Sequence, residues 1–314
     1  MTWIDDPTRL AVRVDPTLAE AAVRCALTVF VPAPPEAFEA HQRRAERCYE
    51  IDGQVERDAA FARLALAEFD ELGLADPLRH AVAERPALAR LVRVILVGEA
   101  RGHVDEGVTC ESGGEHLGVR VSVARLGDPG ELLAWARHAM GHAEDTLGPT
   151  FRFEPGWDGP GGHRVSSAAT QARVHRLWDV TVDARLVRAG RLGELRARQR
   201  HHEQVAADLP GVAPGTIDVV LDRLWDGPQP AFPELLAWAA RPADLIAALA
   251  PGDPGFARPD RCPLCRFPSD DVVPPERAIA DVVAADYPDW RPEQGLCGRC
   301  TDRYRFAGRL GGRG

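Results

Sequence analysis

Apolar positions in the first ninety or so residues recur every three to four places. In "DPTLAEAAVRCALTVF" (15–30) and "EAFEAHQRRAERCYEIDGQVERDAAFARLALAEFDELG" (36–73) that spacing predicts amphipathic helices. Pro32, Pro34 and Pro35 break the chain between the two runs. Residues 1–90 therefore read as an N-terminal helical region. The pattern then changes. "LVRVILVGEA" (91–100), "GVTCE" (107–111) and "LGVRVSVARL" (117–126) are short, rich in β-branched residues and separated by glycine, which predicts two or three strands.

Helical periodicity returns in "DPGELLAWARHAMGHAEDTLG" (128–148), which opens on Asp-Pro-Gly and stops at Gly148-Pro149. A glycine- and proline-rich loop follows, "GPTFRFEPGWDGPGGH" (148–163), long enough to be a lid or site loop. A second strong helix is predicted from about Val165 to Ala189. More helix fills 191–250, with breaks near "LPGVAPG" and "WDGPQPAFP", and "APGDPGFARPD" reads as a linker. The expectation is an α+β fold, mainly helical, with a small β-sheet and a small C-terminal zinc-binding module. Its regions are 1–90, 91–250 and 260–314.

Composition narrows the picture. At 314 residues the chain can bury one large core or two to three small ones. It has no lysine, so all 38 basic residues are arginine. A net charge of -9 argues against a surface built as a whole to hold nucleic acid. The start, "MTWIDDPTRL", lacks the basic and apolar run of a signal peptide, and no apolar stretch is long enough to span a membrane. A cytoplasmic location is expected. In that reducing setting cysteines are not read as disulfides.

Four of the seven cysteines form two Cys-x-x-Cys pairs, Cys262 with Cys265 and Cys297 with Cys300. Four thiolates can close a tetrahedral zinc shell, and the two-residue gap lets each pair turn around one ion. The 31 residues between the pairs exceed the common spacing and carry a predicted short helix, "PERAIADVVAAD". The module resembles zinc ribbons and related zinc knuckles over roughly 260–306, and it implies a structural Zn²⁺ with no open position. From Arg291 onward six arginines face Glu293 and Asp302, with Trp290, Tyr304 and Phe306 nearby. Contact with nucleic acid is one reading of that tail, and a solvated or docked surface is the favoured one.

The helix around His138 carries the other candidate chemistry. Leu132, Leu133, Trp135, Ala136, Ala139, Met140 and Ala143 share one arc, expected to face the core. His138, His142 and Asp145 share a stripe at its edge. Two histidines at i and i+4 can reach one ion from one helix face. Asp145 lies roughly 10 Å from His138 along the axis, so it reads as a carboxylate orienting His142 rather than as a shared ligand. The bland alternative is a pair of histidines at the core edge, hydrogen-bonded to neighbours.

This stretch resembles the active-site helix of zincin metallopeptidases, whose pattern is HExxH. The resemblance implies a zincin-like domain and a second site for Zn²⁺ or another divalent metal. It departs from the pattern at one position. The glutamate that would take a proton from metal-bound water is Ala139 here, and loss of a general base typically costs 10²- to 10⁴-fold. Glu131 and Glu144 are nearby, but neither falls at the required angle.

"VHRLWDVTVDARLVRAG" offers a partner helix. Val174, Leu177, Trp178, Val182 and Leu186 form its expected buried face, and His175, Asp179 and Asp183 line one border at i, i+4 and i+8. Packed beside the first helix, Asp183 or Asp179 would complete a His-His-Asp shell with one position open. His163 in the glycine loop is a further donor. The competing reading pairs both aspartates with arginines such as Arg152, Arg164 or Arg173.

Two functional expectations follow. One is a zinc-binding, zincin-like protein whose catalysis is impaired or altered, and which acts as a metal-dependent hydrolase if it is an enzyme. The other is a non-catalytic interaction or scaffold protein whose four-cysteine zinc module binds a protein, peptide or nucleic-acid partner. No membrane partner is expected.

Overall fold

The computed structural model describes residues 10–30, 35–102, 105–111, 113–157, 168–251, 260–269, 272–288 and 290–311. In chain order the first elements are β1 (Ala11–Val14), α1 (Pro16–Cys25), a single π-helical turn (Ala26–Phe30), α2 (Pro35–Tyr49), α3 (Gln54–Glu71), α4 (Asp76–Ala83) and α5 (Pro86–Leu91). Next come β2 (Val94–Glu99), β3 (Gly107–Cys110), β4 (His116–Val121), α6 (Val123–Leu126), α7 (Pro129–Leu147) and α8 (Ala168–Arg188). Then follow α9 (Glu194–Asp208), α10 (Pro214–Asp226), α11 (Phe232–Ala240) and α12 (Pro242–Leu249). The chain closes with β5 (Asp260–Arg261), β6 (Pro268–Ser269), α13 (Arg277–Asp286) and α14 (Gly298–Gly311). The chain is thus mainly helical α+β, as the periodicity predicts. The linker expected at 250–260 and the loop histidine His163 fall largely or wholly outside the described residues.

The helical reading of the first ninety residues needs one correction. Residues 11–14 form β1, which pairs in parallel with β2, Ala11 opposite Val94 and Val14 opposite Val97. Four residues are too few for alternation to stand out, and the partner strand lies far along the chain. Of the two or three strands expected between 91 and 126, three form. β2 pairs in parallel with β4, and β3 runs antiparallel to β4, so the sheet order is β1-β2-β4-β3.

Contacts divide the chain into two units, Met1–Ala197 with Pro228–Leu236, and Arg198–Gly227 with Ala237–Gly314. In the first, one sheet face supplies Ile95, Val97, Leu117, Val119 and Val121 to a core shared with Leu18 and Ala22 of α1, Leu78 of α4, and Leu132, Ala136 and Met140 of α7. The alternation of strand side chains puts Arg13, Leu96, Thr109 and Arg120 on the opposite face, where they are exposed. In the second unit α10 and α12 pack through Ile217, Val220, Leu221, Leu224, Leu245 and Ile246, all buried. The cysteine module has its own small core of Ile279, Ala280, Val283, Trp290 and Leu296.

Helix α7 begins where the sequence places it. The Asp128 carboxylate accepts hydrogen bonds from the Gly130 and Glu131 amides, each 3.0 Å, and Pro129 occupies the first helical turn. Such a cap is worth about 1 kcal/mol. Leu132, Ala136, Ala139, Met140 and Ala143 are buried, with Leu133 and Trp135 half-buried, which is the arc expected to face the core. On α8 the expected face of Val174, Leu177, Trp178, Val182 and Leu186 is likewise buried.

Candidate metal centres

α7 and α8 run antiparallel at their contact, since His138 meets Asp183 and Asp179 while His142, one turn on, meets only Asp179. The close approach has a specific cause. A Cβ on Gly141 would stand 2.6 Å from Cγ1 of Val182 and 3.3 Å from Nη2 of Arg85, so only glycine lets α8 come this near. A mid-helix glycine costs up to about 1 kcal/mol against alanine, and this one is offset by the packing it permits.

Three donor atoms converge in that contact. His138 Nε2 and His142 Nε2 are 3.1 Å apart, and Asp179 Oδ1 lies 3.2 Å from the first and 2.9 Å from the second. This group could hold a metal ion. Asp183 does something different. Its Oδ1 sits 2.7 Å from Nδ1 of His138, and the residue is buried. An ionised carboxylate only accepts, so Nδ1 carries the hydrogen and the lone pair of a neutral His138 ring sits on Nε2, facing His142 and Asp179.

Electrostatics express the same geometry. Burial pulls the His138 pKa down, but the bonds to and charges of Asp179 and Asp183 outweigh it and raise the ring to about 9. Burial, with the charge of His138, lowers the pKa of His142. Asp179 resists ionisation through burial, yet its bonds to both imidazoles hold it well below the usual carboxylate range. A proton on His138 therefore occupies the place where a cation would satisfy all three groups.

Asp145 is linked to His142 through the ring of Trp178. Its carboxylate accepts from Trp178 Nε1 at 2.7 Å, from both terminal guanidinium nitrogens of Arg185 at 2.6 and 2.5 Å, and from Gln229 Nε2 at 2.8 Å. The Trp178 ring that it fixes stands edge-on to His142, with centroids 4.4 Å apart. Phe151 and Phe232 back Trp178 on its other sides. Arg185, Gln229 and Gly141 are supporting residues that the sequence analysis did not single out, and Trp178, placed there on the buried face of α8, adds its bond to Asp145. Only Gly141 left a signal, as a glycine inside an otherwise regular helix.

The position that would carry a base in HExxH is closed to that role. Ala139 is buried, 7% exposed, and faces the core side of α7. Glu144 points toward Arg85, 3.9 Å away. Glu131 sits at the exposed first turn of the helix.

The cysteines form a second group in the other unit. The β5–β6 hairpin brings Cys262 and Cys265 into a tight turn, closed by Cys262 N–H donating to Phe267 O and Arg266 N–H donating to Cys262 O. Arg266 takes a left-handed conformation there, φ 60°. Cys297 immediately precedes α14 and Cys300 lies in its first turn, where amide dipoles favour a thiolate. All four sulfurs lie within 4.8 Å of one another, and Cys265 and Cys297 are 3.8 Å apart. Burial works against the Cys262 thiolate, but backbone amides around it hold its pKa at about 6. Burial and the neighbouring thiols push Cys297 and Cys300 up. Four thiols in so small a volume cannot all ionise without a cation, and this group too could hold one.

No protein-family model, no curated protein and no solved structure matches the chain. Among the described residues no helix is long and apolar enough to cross a membrane.

Proposed function

We propose that this is a two-site zinc protein, with a structural Zn²⁺ held by Cys262, Cys265, Cys297 and Cys300, and a divalent metal held by His138, His142 and Asp179 with one position open. In this reading Asp183 orients His138, and Asp145 supports His142 through Trp178. Region 91–250 is a zincin-like domain in which the peptidase mechanism is impaired or altered, and 260–314 is a zinc-ribbon-like module. The expected location is the cytoplasm.

The observation that carries the reading is the donor triangle. Zinc with nitrogen and oxygen ligands at about 2.0–2.1 Å, arranged tetrahedrally, spaces its donors about 3.3 Å apart. The three donor atoms here are 2.9 to 3.2 Å apart, which fits one face of such a tetrahedron. For thiolates at about 2.3 Å the corresponding edge is about 3.8 Å, the separation of Cys265 and Cys297. Three protein ligands are the arrangement of catalytic sites, whereas four thiolates are that of structural ones. A metal in the histidine site would supply Lewis-acid chemistry. The protein's own part is to hold the imidazoles in one tautomer and to keep their rings fixed.

The test is metal stoichiometry. The purified chain should carry two equivalents of zinc. A His138→Ala/His142→Ala variant should stay folded and carry one, and a Cys262→Ser/Cys297→Ser variant should lose the other. A single equivalent in the wild type, lost only with the cysteines, would leave the scaffold reading in its place.

A further inference from the structure

We infer that His175 is the proton-transfer group of the α7–α8 site, replacing the base that is missing at Ala139. The inference rests on reading His138, His142 and Asp179 as a metal site. His175 precedes Asp179 by one turn of α8, about 6 Å along the axis, on the border that also carries Asp183. Exposure rises along that border: the Asp183 side chain is 3% exposed, that of Asp179 32%, and His175 is an exposed residue. His175 thus lies at the solvent-accessible end of the border that carries Asp179. At the other end Asp183 is already committed to His138.

The His175 ring is also held in place. Trp157, itself buried, packs against it with centroids 5.2 Å apart, and Trp157 is anchored in turn on Phe232. The contact restrains the His175 ring while leaving the residue exposed, as a group that must meet a bound molecule requires. His175 stands outside the three-donor group whose atoms lie within 4.8 Å of each other, which suits a residue acting on the molecule at the open position rather than on the metal.

The chemistry is a simple proton transfer. An acid arriving at the open position, such as water or a hydroxamic acid, gives its O–H proton to a ring nitrogen of His175. The electron pair of that bond stays on oxygen, and His175 becomes an imidazolium ion facing the anion it has made.

Acetohydroxamic acid is a suitable probe, used with the full chain loaded with two zinc equivalents, at a pH where the free acid is neutral. Calorimetry in two buffers of different ionisation enthalpy counts protons released. The wild type should bind the probe and release none, because His175 keeps the proton. His175→Gln and His175→Ala should keep both metal equivalents and their helical signal. They should bind about tenfold more weakly, the weight of one charge-assisted hydrogen bond, and release about one proton to buffer. Variants that match the wild type in affinity and proton count would overturn the inference. So would a doubly loaded wild type that binds no hydroxamate, or loss of the second metal equivalent in both variants, which would place His175 in the metal shell. A wild type holding only one equivalent would overturn the metal-site reading itself.

Discussion

Nδ1 of His138 and Oδ1 of Asp183 are 2.7 Å apart, and that bond decides which nitrogen of the ring faces the centre of the α7–α8 contact. Carboxylate partners of this kind typically contribute 10- to 100-fold to metal affinity. Asp183→Asn keeps the size but weakens the acceptor and frees the tautomer. Metal affinity at the histidine site should fall by about that factor, while the cysteine site keeps its ion. Competition with a chromophoric chelator measures both. Equal affinities in wild type and variant would show that Asp183 has no hold on the ring.

Gly141→Ala places a methyl group 2.6 Å from a methyl of Val182, a stiff β-branched side chain on the facing helix. Overpacking of this kind typically costs about 1–3 kcal/mol, more than the helix propensity gained. The expected result is a lower melting temperature together with weaker metal binding, both largely restored by Val182→Ala in the same chain. A stability equal to that of the wild type would mean that the helices part without cost.

In the metal-free chain the raised pKa of His138, about 9 against an ordinary 6.5, sets a pH dependence. The folded state binds this proton more tightly than the unfolded state does. Its contribution to stability is therefore fully present below about 6.5 and is lost as pH rises through about 9. Metal must displace the same proton, so affinity at this site should rise over that window. Histidine ring resonances followed by NMR should show one ring, lost in His138→Ala, titrating at about 9.

Stripping the ion from the cysteine module should unfold that module alone. Its core is small, Ile279, Ala280, Val283, Trp290 and Leu296. Structural zinc contributes roughly 10–16 kcal/mol in peptides of similar size. After treatment with a strong chelator, limited proteolysis should cut between Cys262 and Cys300, while the first unit keeps its helices. Resistance to cleavage would show that the apolar core suffices.

Much of this protein could be read along the chain. The three strands between 91 and 126, the Asp128 cap, the stop at Gly148, the buried arcs of α7 and α8 and the paired cysteines are all local patterns, set by side-chain period and turn chemistry within a few residues. β1 escapes such a reading because a four-residue strand has too little period of its own. Asp145 falls on the expected stripe of its helix, yet its bonds run to Trp178, Arg185 and Gln229, and only through Trp178 to His142.

Local sequence is enough to say which side chains line each helix, because the 3.6-residue repeat puts His138 with His142 and Asp179 with Asp183 whatever lies opposite. Which of them meet depends on how the two helices pack. The antiparallel register of α7 on α8 turns Asp179 toward both Nε2 atoms and Asp183 toward Nδ1. That register is fixed by the depth to which Val182 sinks over Gly141, a steric fit between residues far apart in the chain that no local pattern can encode.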